Sequence, residues 1–395
     1  MKTLKLHTAL SLAAILLGMV SCVYPLDIEA EGEGGAMVIE GDIMVGKLTT
    51  VRLSYTAPIS ISFPGWQNVP AEVRVEDDLG GEYPVISQTD EGYIVDTRDA
   101  SPDRLYRLHV RNLETGRTYE STFQPVCRPA VIDSLSYILD EKRDRMNIAI
   151  SIHSGSESYF KWRYVEDWEY HSYFQAAYVY IPPTISYWRW GTEVTDGDGE
   201  LQKAMVPENN YYCWSHSESS DIKIFSTENQ SDDRFVDLEF HTIERTDRRI
   251  SYIYHIDVEL QALTKDGYEY WENVRENSNY RGSLFAPNPS EVMGNITCLE
   301  DPSELVYGYI SASQPTSRAL YVLNSEARFY KEKESFDLTK VQPSSREWYK
   351  YYKDGYLPYD APDPMSSPDW VLKKCVDCTY FGGSPYKKPD YWKYN

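Results

Sequence analysis

Short runs of alternating apolar and polar residues recur from residue 36 to residue 323. Alternation with period two is the mark of half-buried strands. Segments 37–43, 50–55, 71–77, 93–95, 105–110 and 118–123 all read this way. Gly80-Gly81 and residues 112–117 supply the turns. About seven short strands in such a span predict an immunoglobulin-like β-sandwich over 36–126. Pro125 and Pro129 bracket a break, and a larger β-rich region is expected over 130–324. Within it 146–152 and 159–165 face each other across a Ser-rich turn, and 250–260 is the longest alternating run. One stretch changes period: Tyr268, Trp271 and Val274 stand at helical spacing behind Thr264, which predicts a helix over 264–277. Residues 325–395 are rich in Tyr, Pro, Lys and Asp, and are expected to pack on the body as a C-terminal extension. The fold class expected is mostly β, with one or two helices.

The first residues follow a different logic. Lys2 and Lys5 precede an apolar run from Ala9 to Val20 that is too short to span a bilayer but suits an export signal. The run ends at Ser21-Cys22, which places a small residue before a thiol. Residues 1–21 are therefore expected to be a lipoprotein signal peptide, and Cys22 the lipidated first residue of the mature chain. The alternative is an ordinary secreted protein cut near Ser21, with Cys22 left for a disulfide. Residues 22–35 are acidic and end in glycines, the composition of a flexible tether. Lipid is the only anchor expected, since no other run reaches transmembrane length.

The formal net charge is −22, and the leader contributes two lysines and no acid, so the mature chain is more negative still. Phosphate backbones repel such a chain, which argues against nucleic-acid binding. Tyrosine is abundant, 34 residues of 395. An exported chain meets an oxidising compartment, so Cys127, Cys213, Cys298, Cys375 and Cys378 are candidates for disulfides. Five is odd, so at least one thiol stays free or pairs elsewhere. Cys375-Val376-Asp377-Cys378 admits a redox pair or, with Cys213 and Cys298, a zinc site. A disulfide tying the tail to the body is the favoured outcome.

No nucleophile elbow, phosphate loop, zincin motif or dinucleotide fingerprint occurs. The histidines show no metal-ligand spacing, and His255 alternates within a strand. Asp196-Gly197-Asp198-Gly199-Glu200 starts like a calcium loop but has Leu201 and Pro207 where Gly and Glu belong, so an acidic turn is expected. Neither catalysis, metal nor cofactor is expected. The densest aromatic stretch carries Trp168, Tyr170, Tyr173, Phe174, Tyr178, Tyr180, Tyr187, Trp188 and Trp190. It reads either as a binding surface for a glycan or peptide, or as an insertion packed on its own unit.

Several phrases recur in an order that resembles a known family. They are Val38-Ile39-Glu40-Gly41, Cys213-Trp214-Ser215, Tyr268-Glu269-Tyr270-Trp271 and the turn-rich residues 282–296. Val306-Tyr307-Gly308-Tyr309-Ile310 follows, and Cys375–Cys378, Gly382-Gly383 and Pro389-Asp390-Tyr391-Trp392 close the series. Together they resemble the Bacteroidota outer-membrane lipoproteins catalogued as domain of unknown function 4249. That resemblance implies an outer-membrane lipoprotein, often encoded beside a TonB-dependent transporter, with no catalytic residues to carry over; the acids soon after Cys22 resemble the surface-export signal of Bacteroidota lipoproteins, so an exterior face is expected. The function expected is a non-catalytic accessory binding or scaffolding partner of such a transporter in nutrient uptake. The alternatives are a stand-alone carbohydrate-binding or adhesive lipoprotein and, last, a hydrolase with paired carboxylates.

Overall fold

A computed structural model describes residues 35–56, 69–189, 192–205, 210–219, 221–228, 232–279, 294–332, 337–361 and 366–392. For 186–189, 192–195 and 278–279 only the backbone is described. The signal peptide, Cys22, most of the tether and Trp190 lie outside the described residues, as does 282–293 of the turn-rich phrase. The chain is mostly β, as its alternation predicts.

The first unit opens with β1 (Met37–Glu40), β2 (Ile43–Met44), β3 (Leu48–Tyr55), β4 (Ala71–Asp77) and β5 (Glu82–Thr89). It continues through β6 (Gly92–Asp96), β7 (Leu105–Asn112), β8 (Thr118–Ser121) and β9 (Gln124–Cys127). Hydrogen bonding runs β9-β7-β4-β5-β6-β3-β1. Two layers are thus joined through the β4–β5 hairpin, whose Gly80-Gly81 turn is tied by Asp77 accepting the Gly81 N–H at 2.8 Å. The result is one curled sheet. Its concave side buries Ile39, Val51, Leu53, Val75, Val95, Tyr106, Leu108 and Val110, every second residue of each strand.

The second unit starts with β10 (Val131–Asp140), β11 (Arg145–His153) and β12 (Tyr159–His171). An insertion follows, holding two small ribbons: β13 (Tyr178–Ile181) pairs with β16 (Glu200–Lys203), and β14 (Ile185–Arg189) with β15 (Thr192–Thr195). The chain then resumes with β17 (Tyr212–Glu218), β18 (Lys223–Ser226), β19 (Arg234–Glu244) and β20 (Ile253–Ala262). Helix α1 (Lys265–Asn279) comes next, with the Thr264 hydroxyl accepting the Gly267 N–H at 3.2 Å. Three short strands, β21 (Ile296–Cys298), β22 (Val306–Tyr307) and β23 (Ala312–Ser313), lead to β24 (Thr316–Leu323). Sheet β10-β11-β19 faces sheet β17-β12-β20-β24, with β18 also on β12. Ile148, Ile150 and Ile152 meet Phe160, Trp162, Tyr254, Ile256 and Val258 between them.

Residues 296–313 were expected within the second region but pair with the first. β22 adds parallel to β1, β23 lies between β2 and β9, and β21 pairs with β8. These strands are too short to show alternation, so only long-range pairing assigns them. Gly308 explains part of the Tyr-Gly-Tyr phrase: its φ is 134°, and a Cβ there would lie 1.9 Å from the Ile39 carbonyl.

The tail forms a hairpin from β25 (Tyr356–Asp360) and β26 (Asp369–Leu372), and it encloses a small core of its own with the insertion. Val371, Cys375 and Val376 pack with Ala176 and Phe174, and Trp370 is fully buried. A disulfide joins Cys213 on β17 to Cys378, so the tail is tied to the body as expected. Cys127, Cys298 and Cys375 are buried free thiols, which leaves the cysteines of the Cys375–Cys378 phrase unjoined to each other. Among the described residues no helix is long and apolar enough to cross a membrane.

Candidate binding cleft

β12 decides the chemistry of the second unit, because its alternation sends two different sets of side chains to its two faces. Phe160, Trp162, Tyr164, Glu166, Trp168 and Tyr170 point one way, into the sandwich and its extension. Lys161, Arg163, Val165, Asp167, Glu169 and His171 point the other way. The outer set lies beside His255, Asp257 and Glu259 of β20, which in turn neighbour Ser317, Ala319 and Tyr321 of β24. This polar sheet face is the floor of a cleft of about 740 Å³. The first unit supplies a wall from Glu40, Asp42, Leu48, Thr50, Arg52 and Glu91, and Tyr391 of the tail closes one end.

Ion pairs fix the two units across the cleft margin. Lys47 reaches Glu259 at 2.9 Å, and Arg163 holds the other oxygen of that carboxylate at 2.9 Å. Burial raises the Glu259 pKa, but Arg163 and Lys47 outweigh it and bring it below the ordinary value. Lys161 pairs with Asp42 at 2.5 Å, and the Ser311 hydroxyl donates to the same carboxylate at 2.5 Å. Two other acids are less compensated. Burial raises Asp257 despite His255 nearby, and raises Glu40 against the opposing charge of Arg52.

At the closed end, Asp167 and Glu169 are buried acids that the tail helps to satisfy. Asp167 accepts from His216 Nδ1 at 2.8 Å and from the Tyr391 hydroxyl. Glu169 accepts from Trp392 Nε1 at 2.8 Å and contacts His171 Nε2 at 3.0 Å. Trp392 itself is buried against Trp214 and Ile253. Burial works to lower the His216 pKa, but Asp167 and Glu218 lift it above the ordinary value. Rings of Tyr321 and Tyr391 flank His255 at centroid distances of 4.4 and 5.0 Å, which gives the floor an aromatic strip.

The inner face of β12 carries a separate buried network. Glu166 accepts from the Tyr254 hydroxyl at 2.6 Å, and contacts His241 Nε2 and Arg249 Nη1 at 2.9 Å each. Burial pushes its pKa up, but His241, Tyr254 and Arg249 hold it below the usual value. Such a closed set braces the two sheets and offers no open position. A third cluster, Glu76, His109 and Glu120, has metal-like spacing. Arg107 pairs with both acids, at 2.7 and 2.5 Å, and Arg74 with Glu76 at 2.7 Å. The arginines already supply the compensating charge, and a divalent cation would be repelled there.

The aromatic stretch foreseen as a binding surface is not one surface. Tyr170 is buried, donates its hydroxyl to the Cys378 carbonyl at 3.0 Å and accepts the Gly383 N–H at 2.8 Å. A Cβ at Gly383 would sit 2.4 Å from that hydroxyl, which accounts for the Gly-Gly phrase. Tyr180 is buried between Tyr352 and Trp370 of the tail, and Phe174 stacks on Tyr359 at 4.4 Å. Trp168 and Tyr178 are half-buried, and Tyr173 is exposed. Tyr187 and Trp188 lie on β14 with only their backbone described. The tail covers Tyr170, Phe174 and Tyr180, a pairing across more than 150 positions that local pattern does not announce. The turn at 196–199 is held by backbone bonds, with Tyr180 donating to the Asp198 carbonyl at 2.8 Å.

Sequence reasoning missed the cleft. Its signal was present in the odd positions of 161–169 and 255–261, where charged residues alternate with apolar ones in a strand long enough to be central. What that signal lacks is which wall faces it.

No curated protein matches the chain. Residues 23–319 match the model of the family described as Domain of unknown function (DUF4249), a span that takes in the first unit and most of the second, with the cleft floor as far as Ala319. The chain belongs to that family.

Proposed function

We propose that this protein is a non-catalytic lipoprotein of the outer membrane, held by lipid on Cys22 and facing the cell exterior. It acts as an accessory binding partner of a TonB-dependent transporter in nutrient uptake. The observation that carries the binding role is the cleft: an open, polar cavity on a central sheet, with walls from two units and a tail fixed by a disulfide. Sites on paired strands keep their geometry without a ligand, which suits capture. The leader, Cys22 and the acidic tether support the anchored location. The immunoglobulin-like reading of the first unit is supported by its layers, ordered β1-β3-β6-β5 and β4-β7-β9.

The test is native co-purification from gently solubilised outer membrane. A stoichiometric TonB-dependent transporter is the expected companion. Recovery of the protein alone from a surface-exposed pool sinks the stable-partner reading. The cleft's aromatic strip favours a second reading, a carbohydrate-binding lipoprotein that acts without a transporter.

A further inference from the structure

We infer that the cleft takes a neutral, hydroxyl-rich ligand, a short oligosaccharide, bound across the outer face of β20 and β24. The inference rests on the cleft being a binding site and does not depend on the transporter. Three features select the ligand class.

The first is the mixture of charge on the lining. Six carboxylates, Asp257 and Glu40 among them, line the cavity with Arg52 and Arg163, and Asp42 and Glu259 are already paired with Lys161, Lys47 and Arg163. The surplus of carboxylates repels a free anion, and the guanidinium of Arg52 beside Glu40 works against a free cation on that wall. A sugar hydroxyl both donates and accepts, so vicinal hydroxyls use carboxylates and arginines together. The second is the aromatic strip. Tyr321 and Tyr391 both pack beside His255, and their rings give flat faces against which the C–H face of a sugar ring packs. The third is size and shape. At about 740 Å³ the cleft lies within the range of small-ligand sites, and its floor runs along β20 and β24 from Glu259 and Ser317 to His255 and Tyr321.

Asp257 is exposed at the floor, and Arg163, which holds Glu259, is 65 % exposed at its side chain, so both are open to a ligand.

Isothermal titration calorimetry on the full mature chain tests this, with short neutral gluco-, xylo- and manno-oligosaccharides as probes and spermidine and oligogalacturonate as charged comparisons. At least one neutral oligosaccharide is expected to bind saturably, with an affinity that does not move with added salt. Tyr321→Ala and Asp257→Asn are each expected to weaken it about tenfold, the scale of one lost packing or hydrogen-bonding contact. Should Tyr321→Ala fail to fold, Arg163→Ala at an exposed position takes its place. A silent neutral panel overturns the proposal, and so does salt-sensitive binding of spermidine or oligogalacturonate alone. Neutral binding that survives the substitutions overturns the placement in this cleft. Absence of a transporter in the co-purification leaves these outcomes untouched, so the two ideas fail separately.

Discussion

Glu166 shows how much depends on single side chains here. It is buried with a tyrosine, a histidine and an arginine around it, and its carboxylate is the only anion they share within the sandwich among the described residues. Glu166→Ala leaves Arg249 with Asp247 alone and is expected to cost about 3–5 kcal/mol in chemical denaturation. Because the Glu166 pKa is lowered on folding, its contribution is present above pH 4.5 and is lost as pH falls through the folded value. The acid limb of the stability profile should therefore shrink in the variant. His216 works in the opposite sense. Its pKa is raised on folding, so its contribution is full below 6.5 and fades as pH rises through the folded value. In Asp167→Asn that alkaline decline should disappear from the profile. The free thiols offer a simpler check. Burial pushes Cys127 up to about 12 and raises Cys298 and Cys375, so all three should resist iodoacetamide in the native protein and react after unfolding.

At the scale of elements, β12 and the tail do most to shape the molecule. A thirteen-residue strand is paired on both sides, so its alternation builds a core on one face and a cleft floor on the other. The tail then crosses from the insertion to the end of that floor, pinned by Cys213–Cys378 and by Trp392. Replacing both cysteines by serine is expected to lower stability by about 2–4 kcal/mol, read as a fall in Tm, and to open the tail to limited proteolysis. Trp392→Ala removes a buried ring and the donor to Glu169, and should cost about 3 kcal/mol in denaturant melts. If the tail remains protease-resistant in both variants, the pinning role assigned to these contacts is wrong.

Across the whole molecule, the two units are interlocked rather than strung together. The chain leaves the first unit at β9, builds most of the second, returns to add β21, β22 and β23 to the first, and only then completes the second with β24. Unfolding of one unit therefore strips strands or loop anchors from the other. A single cooperative transition is expected in calorimetry, and two resolved transitions would show the interlock to be weak. Strand existence was legible from alternation over 37–55, 71–77, 105–110 and 146–165, and the helix from its spacing behind Thr264. The short strands were not legible, because two or three residues carry no period. The candidate site was half legible: charged odd positions on β12 and β20 are visible in the sequence, whereas Tyr170, Phe174 and Tyr180 of the aromatic stretch pack against the tail.

The sequence by itself determined what local chemistry dictates: a β-rich chain, a helix behind Thr264, an acidic charge, and a likeness to the family whose model matches residues 23–319. Only the tertiary structure decided which cysteines join, which aromatic residues are core, and which polar face is covered by a second unit to make a cleft. The reason is distance along the chain. Alternation reports a strand's two faces within a few residues, but Cys213 with Cys378, Lys47 with Glu259, and Tyr391 with Asp167 are brought together by folding across more than 150 positions, where no local pattern reaches.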